Sequence, residues 1–137
     1  PGFLARAEEY AEAASIPLRD ALVAAAGRDG ADQLASYYAG AADSLLWAAR
    51  AVLSESADAV DAGPGMSDVD RVTKASRARA AAADAVERVL ELADHALGPG
   101  PLTSDEDHAR RVADLRIYIR QHHAERDIAR LGQRVLR

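Results

Sequence analysis

The sequence has no cysteine and few aromatic residues, and both absences restrict what the chain can be. Disulfide bonds and thiolate chemistry are excluded because each needs cysteine. Aromatic residues make up only 4% of the 137 residues, while alanine, the best helix former, is abundant. Glycine and proline cluster at a few places instead of punctuating short strands. The composition therefore predicts an all-α protein.

Clustered surplus cations, long apolar runs and a signal peptide are also missing. The net charge is −5, whereas binding to phosphate backbones calls for a surplus of lysine and arginine. No apolar run approaches the roughly 18 residues of a membrane span. We therefore expect a cytoplasmic protein with neither a nucleic-acid nor a membrane partner.

The length predicts one domain over residues 1–137. The chain starts at Pro1 without a methionine, so we expect a fragment of a longer protein.

Four long helical segments are predicted, joined by short turns rich in glycine and proline. They cover Phe3–Ala26, Asp32–Asp61, Ser67–Leu97 and Ala109–Arg137. Pro17 interrupts the first segment, where we expect a kink or a break. Short connections favour an antiparallel four-helix bundle, which is the predicted fold.

The second segment carries apolar residues on more than one side. One stripe is predicted to be buried: Leu34, Tyr37, Ala41, Leu45, Ala48, Val52 and Ala59. Because Tyr38, Leu46 and Trp47 lie off that stripe, we expect this helix to bury two faces.

Two capping boxes are predicted from the spacing of polar residues. Ser67 with Asp70 opens the third helix, with aspartate in the reciprocal position. Thr103 with Glu106 opens the fourth. Each pair satisfies backbone amides that lack partners at a helix start.

The fourth segment places a histidine inside its apolar stripe. The stripe contains Val112, Leu115, Ile119, His122, Ile128, Leu131 and Val135. One interpretation of His122 is a histidine at the edge of the core, bonded to a neighbour. The other is a histidine that faces a cleft, where its near-neutral pKa suits acid–base chemistry. His123 points about 100° away and is interpreted as solvated.

A metal site is disfavoured by the order of the ligand types. Di-iron bundles need two Glu-x-x-His pairs and two further glutamates. The pairs His122-x-x-Glu125 and Asp105-x-x-His108 have the spacing but not that order or chemistry. We predict no metal site.

The last forty residues resemble the end of an acyl-CoA dehydrogenase. The resemblance rests on Asp-His-Ala-Leu-Gly-Pro-Gly-Pro-Leu at 94–102 and Arg-Arg-Val-Ala-Asp-Leu-Arg-Ile-Tyr at 110–118. Residues 31–63 are similar to the alanine-rich second C-terminal helix of the same family. The resemblance covers about residues 30–137.

The resemblance implies the C-terminal four-helix domain of a flavin-dependent oxidoreductase. FAD would be the cofactor of the full-length parent, or FMN in a monooxygenase-like branch, and Gly98 and Gly100 would be its backbone approach points. An acyl thioester or another small molecule would be the substrate. The domain would form a homo-oligomer, a dimer or tetramer, and would be inactive as an isolated fragment.

His122 falls where the family commonly has its catalytic glutamate, which makes it the predicted catalytic residue. A histidine is not the strong carboxylate base that removes the α-proton of an acyl thioester, so dehydrogenase and monooxygenase chemistry both stay open. The alternative function is a non-catalytic helical-bundle assembly module. It is favoured by alanine-rich faces and by the absence of the family's Arg-x-x-Phe-Gly motif from residues 15–30.

Overall fold

The computed structural model describes residues 3–28, 33–61, 65–121 and 124–136. It describes side-chain surroundings for residues 13, 15–28, 33–59, 65–120 and 125–136. The all-α prediction is confirmed, because these residues form six helices and no strand. The helices are α1 (Phe3–Ala26), α2 (Gln33–Asp61), α3 (Asp68–Leu97), α4 (Gly100–Ser104), α5 (Glu106–Gln121) and α6 (Ala124–Val135).

The first three helices pack against one another, and the later ones join them. α5 contacts both α1 and α3, and α6 contacts α3. The main core collects side chains from four helices and therefore holds the chain together by apolar burial. Its buried members are Leu18, Leu22, Ala39, Ala42, Leu46, Val86, Val89, Leu90, Ala93, Val112 and Leu115.

α1 runs without interruption through Pro17. Of the two predicted alternatives, the break is wrong and the kink stays a prediction. Proline inside a helix removes one hydrogen bond and costs about 3 kcal/mol. Leu18, the next residue, and Leu22, one turn later, are almost fully excluded from solvent. Burial of two leucines is worth a comparable amount, about 1.5–3 kcal/mol each, which offsets that cost.

The prediction for the buried faces of α2 is confirmed in part. Leu46 is buried, and Leu45 and Tyr38 pack against the core, whereas Leu34, Tyr37 and Trp47 are exposed. The other buried residues of α2 are Ala39, Ala42 and Ala49. Alanines let α2 approach its neighbours closely, whereas the large aromatic side chains would hold the helices apart.

α3 begins and ends as its sequence predicts. The Ser67 hydroxyl accepts a hydrogen bond from the Asp70 amide at 3.1 Å and donates to the Asp70 carboxylate at 2.6 Å. The helix ends at Leu97, and the Gly98 amide donates to the Asp94 carbonyl at 3.1 Å. The predicted N-cap at Ser67 is confirmed, while the Asp70 carboxylate accepts from the Ser67 hydroxyl and not from its backbone amide in the bonds described.

The second predicted capping box is wrong. Thr103 belongs to α4, and its hydroxyl donates back to the Gly100 carbonyl at 2.9 Å. Asp105 caps α5 instead, with its carboxylate accepting the His108 amide at 3.0 Å. Because Thr103 lies inside α4, the side chain that caps the start of α5 is Asp105, two residues later than the spacing predicted.

The fourth predicted helix consists of α5 and α6, separated by residues outside the described ranges. Arg116 of α5 bonds to Asp94 at 2.9 Å, and Arg134 of α6 bonds to Ser76 at 3.0 Å. Eighteen residues separate the two arginines, and eighteen separate their two partners on α3. α5 and α6 therefore pack antiparallel to α3 in one common register.

Candidate functional site

The turn after α3 contains the two glycines predicted to approach a flavin. Gly98 has φ 63° and ψ −165°, a backbone conformation essentially restricted to glycine. At Gly98 and at Gly100, an added Cβ would meet no atom within 4 Å. The backbone here is therefore open on the outside, but only Gly98 is required by its dihedral angles.

The hydroxyl groups near this turn are engaged with the turn itself. Thr103 and Ser104 both donate to the Gly100 carbonyl, at 2.9 and 2.8 Å. Neither hydroxyl is directed outward toward a ligand, and α4 is too short to act as an anion-binding helix terminus. The turn fits a backbone edge against which a flavin could lie, and it lacks the polar side chains of a complete flavin site.

His122 lies outside the described residues, so its predicted catalytic role stays a prediction. The residue before it, Gln121, ends α5, whereas Gly100 precedes the start of α5 at Glu106. A sixteen-residue helix is about 24 Å long. The glycine turn and the C-terminal end of α5 are thus too far apart to form one compact catalytic centre within this chain.

His108 is a buried histidine that the sequence reasoning did not single out as a site. Its side chain is 7% exposed and lies on the face of α5 that carries Val112 and Leu115. Its spacing from Asp105 reflects helix capping, since the carboxylate accepts the His108 backbone amide. The three- and four-residue spacing of His108, Val112 and Leu115 was the available signal.

Two kinds of site were searched for along the described ranges. No group of three or more histidine, aspartate or glutamate side chains there could hold a metal ion. None of the described helices combines the length and apolar character needed to cross a bilayer.

The outer face of α2 is a surface that the sequence reasoning missed, because it placed part of this face in the core. Between Gln33 and Ser54, nine exposed residues follow one side of the helix and none of them is charged; the exposed charged residues Glu55 and Asp58 continue that side. We call the nine uncharged residues the α2 outer stripe: Gln33, Ser36, Tyr37, Gly40, Ser44, Trp47, Ala48, Ala51 and Ser54. Their three- and four-residue spacing without a charge was readable in the sequence.

Comparison with known proteins finds no match: no protein-family model, no curated protein and no solved structure is similar to the chain. The resemblance to acyl-CoA dehydrogenases therefore rests on the quoted motifs alone.

Proposed function

We propose that the chain is the C-terminal helical domain of an acyl-CoA dehydrogenase-like, flavin-dependent oxidoreductase. The observation that carries the proposal is the arrangement after Asp68. A thirty-residue helix ends at a glycine of restricted conformation, and the chain then returns along that helix in one register. This is a long helical hairpin with a glycine-containing turn, as the resemblance implies.

The four-helix bundle is part of the same proposal. α1, α2 and α3 supply three long helices, and the common register of α5 and α6 along α3 supports their acting together as the fourth. The core supports this count, because it takes buried side chains from α1, α2, α3 and α5.

The domain itself would contribute one exposed backbone edge, at the turn after α3, to the flavin-binding pocket. Gly98 and Gly100 leave the space that a side chain would fill. The rest of the pocket, and the substrate site for an acyl thioester or another small molecule, would come from the parent protein. The isolated chain is therefore proposed to be inactive, and no catalytic step is assigned to the turn.

The first experiment is a visible absorption spectrum of the natural gene product, purified from its own host. The two absorption bands of an oxidised flavin are the expected result. A colourless product would overturn the proposal.

The second experiment tests His122 in the full-length parent. We expect His122→Ala to lower turnover by about 100- to 10,000-fold, the usual range for loss of a general acid or base, while helicity is retained. His123→Ala is the matched control, since His123 is interpreted from the sequence as a solvated residue, and it should keep most of the activity. Equal losses in both variants, or a loss of helicity with unchanged activity per folded molecule, would contradict a catalytic His122.

A non-catalytic assembly module is the second candidate function. The α2 outer stripe favours it, because Trp47 is 73% exposed and Tyr37 is 62% exposed on a face without charge. Exposed aromatic residues at uncharged positions mark protein–protein contacts more often than ordinary surface. A self-associating, colourless natural product would support this candidate over the flavoprotein.

A further inference from the structure

The α2 outer stripe is unusual for the surface of this chain. Charged residues make up 28% of the sequence, and the exposed side of α3 shows the ordinary pattern, with Asp84, Glu87, Arg88 and Glu91 all facing solvent. The α2 outer stripe instead extends from Gln33 to Ser54, about 30 Å along the helix, without a charged side chain. An uncharged face with two exposed aromatic side chains is typical of a protein–protein contact.

Gly40 leaves room for a close neighbour on this face. It lies inside α2, where glycine lowers helix stability relative to alanine. Its φ is not positive, and an added Cβ would meet no atom within 4 Å. Gly132 in α6 has the same features. The interface therefore depends on the position of Gly40 between Tyr37 and Trp47, and not on glycine alone.

The residue types of the stripe are symmetric about its middle. Gly40 and Ser44, both small, are central. Tyr37 and Trp47 follow, each three residues further out, and the small residues Ser36 and Ala48 come next. A twofold interface needs a patch that complements itself when the helix direction is reversed, and this order of sizes meets that requirement.

Helix geometry shows which side chains would meet. At about 100° per residue, Tyr37 and Ala48 lie along one edge of the stripe, and Ser36 and Trp47 lie along the other. Consider a twofold axis perpendicular to the plane of two antiparallel helices. It places the same edge of the stripe of both copies on one side of the interface, and it brings the N-terminal half of one stripe against the C-terminal half of the other. Each tyrosine then lies over the second copy's Ala48, and each tryptophan lies over the second copy's Ser36. Large side chains are matched with small ones at all four places.

We propose that α2 forms a twofold antiparallel interface with α2 of a second copy of this chain, centred between Gly40 and Ser44. The inference rests on the part of the proposed function that assigns an oligomer interface to this domain, and it names the helix and the residues. Two aromatic residues bury about 150–250 Å² each, against about 800 Å² per partner in a standard interface. Because Tyr37 and Trp47 still expose 62% and 73% of their surface, the two side chains supply about a quarter to two-fifths of that area, and the other stripe residues and the flanks supply the remainder.

Sedimentation velocity over a dilution series of the 137-residue chain tests the interface. The unmodified chain should form a dimer, and Gly40→Gln should raise its dissociation constant by about tenfold or more. Glutamine is a better helix former than glycine, so the variant should fold at least as well by circular dichroism. Gly132→Gln in α6 is the matched control, because Gly132 is also exposed with no atom within 4 Å of an added Cβ, and it should leave the dimer unchanged.

Trp47 supplies a second measurement, since it is the only tryptophan in the chain. Its fluorescence emission should move to shorter wavelength as the dimer forms, because the indole leaves water. A monomer at all concentrations, a dimer unaffected by Gly40→Gln, or a dimer without the emission shift would each overturn the α2 interface. None of these results alters the flavin spectrum of the parent, so a failure here is distinct from a failure of the flavoprotein proposal.

Discussion

Of the glycines at positions 40, 98 and 100, only Gly98 is required by the backbone. Gly98 has dihedral angles that other residues rarely adopt, and it ends α3. Gly100 and Gly40 have no such requirement and face open space. Only Gly98 is explained by the chain alone, which is why the other two are the residues assigned to outside contacts, a cofactor for Gly100 and a second copy for Gly40.

Replacement of Gly98 by alanine should destabilise the fold. We expect Gly98→Ala to lower the free energy of unfolding by about 1–3 kcal/mol, the cost of a side chain in this backbone region. Gly100→Ala is the control and should change stability by less than about 0.5 kcal/mol. Denaturant titration followed by circular dichroism measures both. Equal effects of the two substitutions would show that the conformation of Gly98 is not the cause.

Between elements, an exposed ion pair joins α2 to α3. The Lys74 ammonium lies 2.9 Å from the Glu55 carboxylate. The hydrogen bond from Lys74, followed by its charge, lowers the pKa of Glu55 from its ordinary value of 4.5. Because the pKa is lower in the folded state, the pair stabilises the fold above the ordinary pKa and loses that effect as the pH falls through the folded-state pKa.

The pH dependence of a Glu55 variant follows from that sign. Near neutral pH, Glu55→Gln should be slightly less stable than the unmodified chain, since exposed pairs contribute little. The difference should disappear in acid, where Glu55 is protonated in both states. Urea titrations near neutral pH and in acid measure the difference in the free energy of unfolding. Glu87→Gln, on the exposed side of α3, is the control. A difference that persists in acid would assign the effect to something other than the ion pair.

At the scale of the whole molecule, the large apolar side chains are concentrated in one part of the helical array. Leu18, Leu22, Val89 and Leu115 are almost fully buried and come from three different helices. The N-terminal half of α3 instead buries the small residues Ala78, Ala82 and Ala83. Cooperative stability is therefore expected to depend mainly on the leucine and valine cluster, where most apolar area is removed from water.

Leu115 tests this dependence. Leu115→Ala should lower the free energy of unfolding by about 2–5 kcal/mol, as is usual for a fully buried leucine. Ile117→Ala, two residues along and 60% exposed, should change it by less than about 0.5 kcal/mol. Thermal and denaturant unfolding measure both variants. A small effect at Leu115 would mean that α5 is not part of the cooperative core.

The sequence predicted α3 well because its signals are local. Ser67 caps the start with Asp70 beside it, and Gly98 ends the helix. For α2 the prediction was right for Leu46 and wrong for Tyr37 and Trp47, which were assigned inward and are exposed. Residue size and spacing do not state which face a neighbouring helix covers. The uncharged outer stripe, which carries the proposed interface, was hidden by that assignment.

The all-α class and the glycine at the end of α3 were determined by the sequence itself, through helix propensity and the backbone restriction at Gly98. Only the tertiary structure decided that α1 stays continuous through Pro17 and that α2 turns its alanines inward. It also decided that α5 and α6 share one register along α3. These outcomes depend on burial between helices distant in the chain, and that free energy exceeds local preferences of a few kcal/mol.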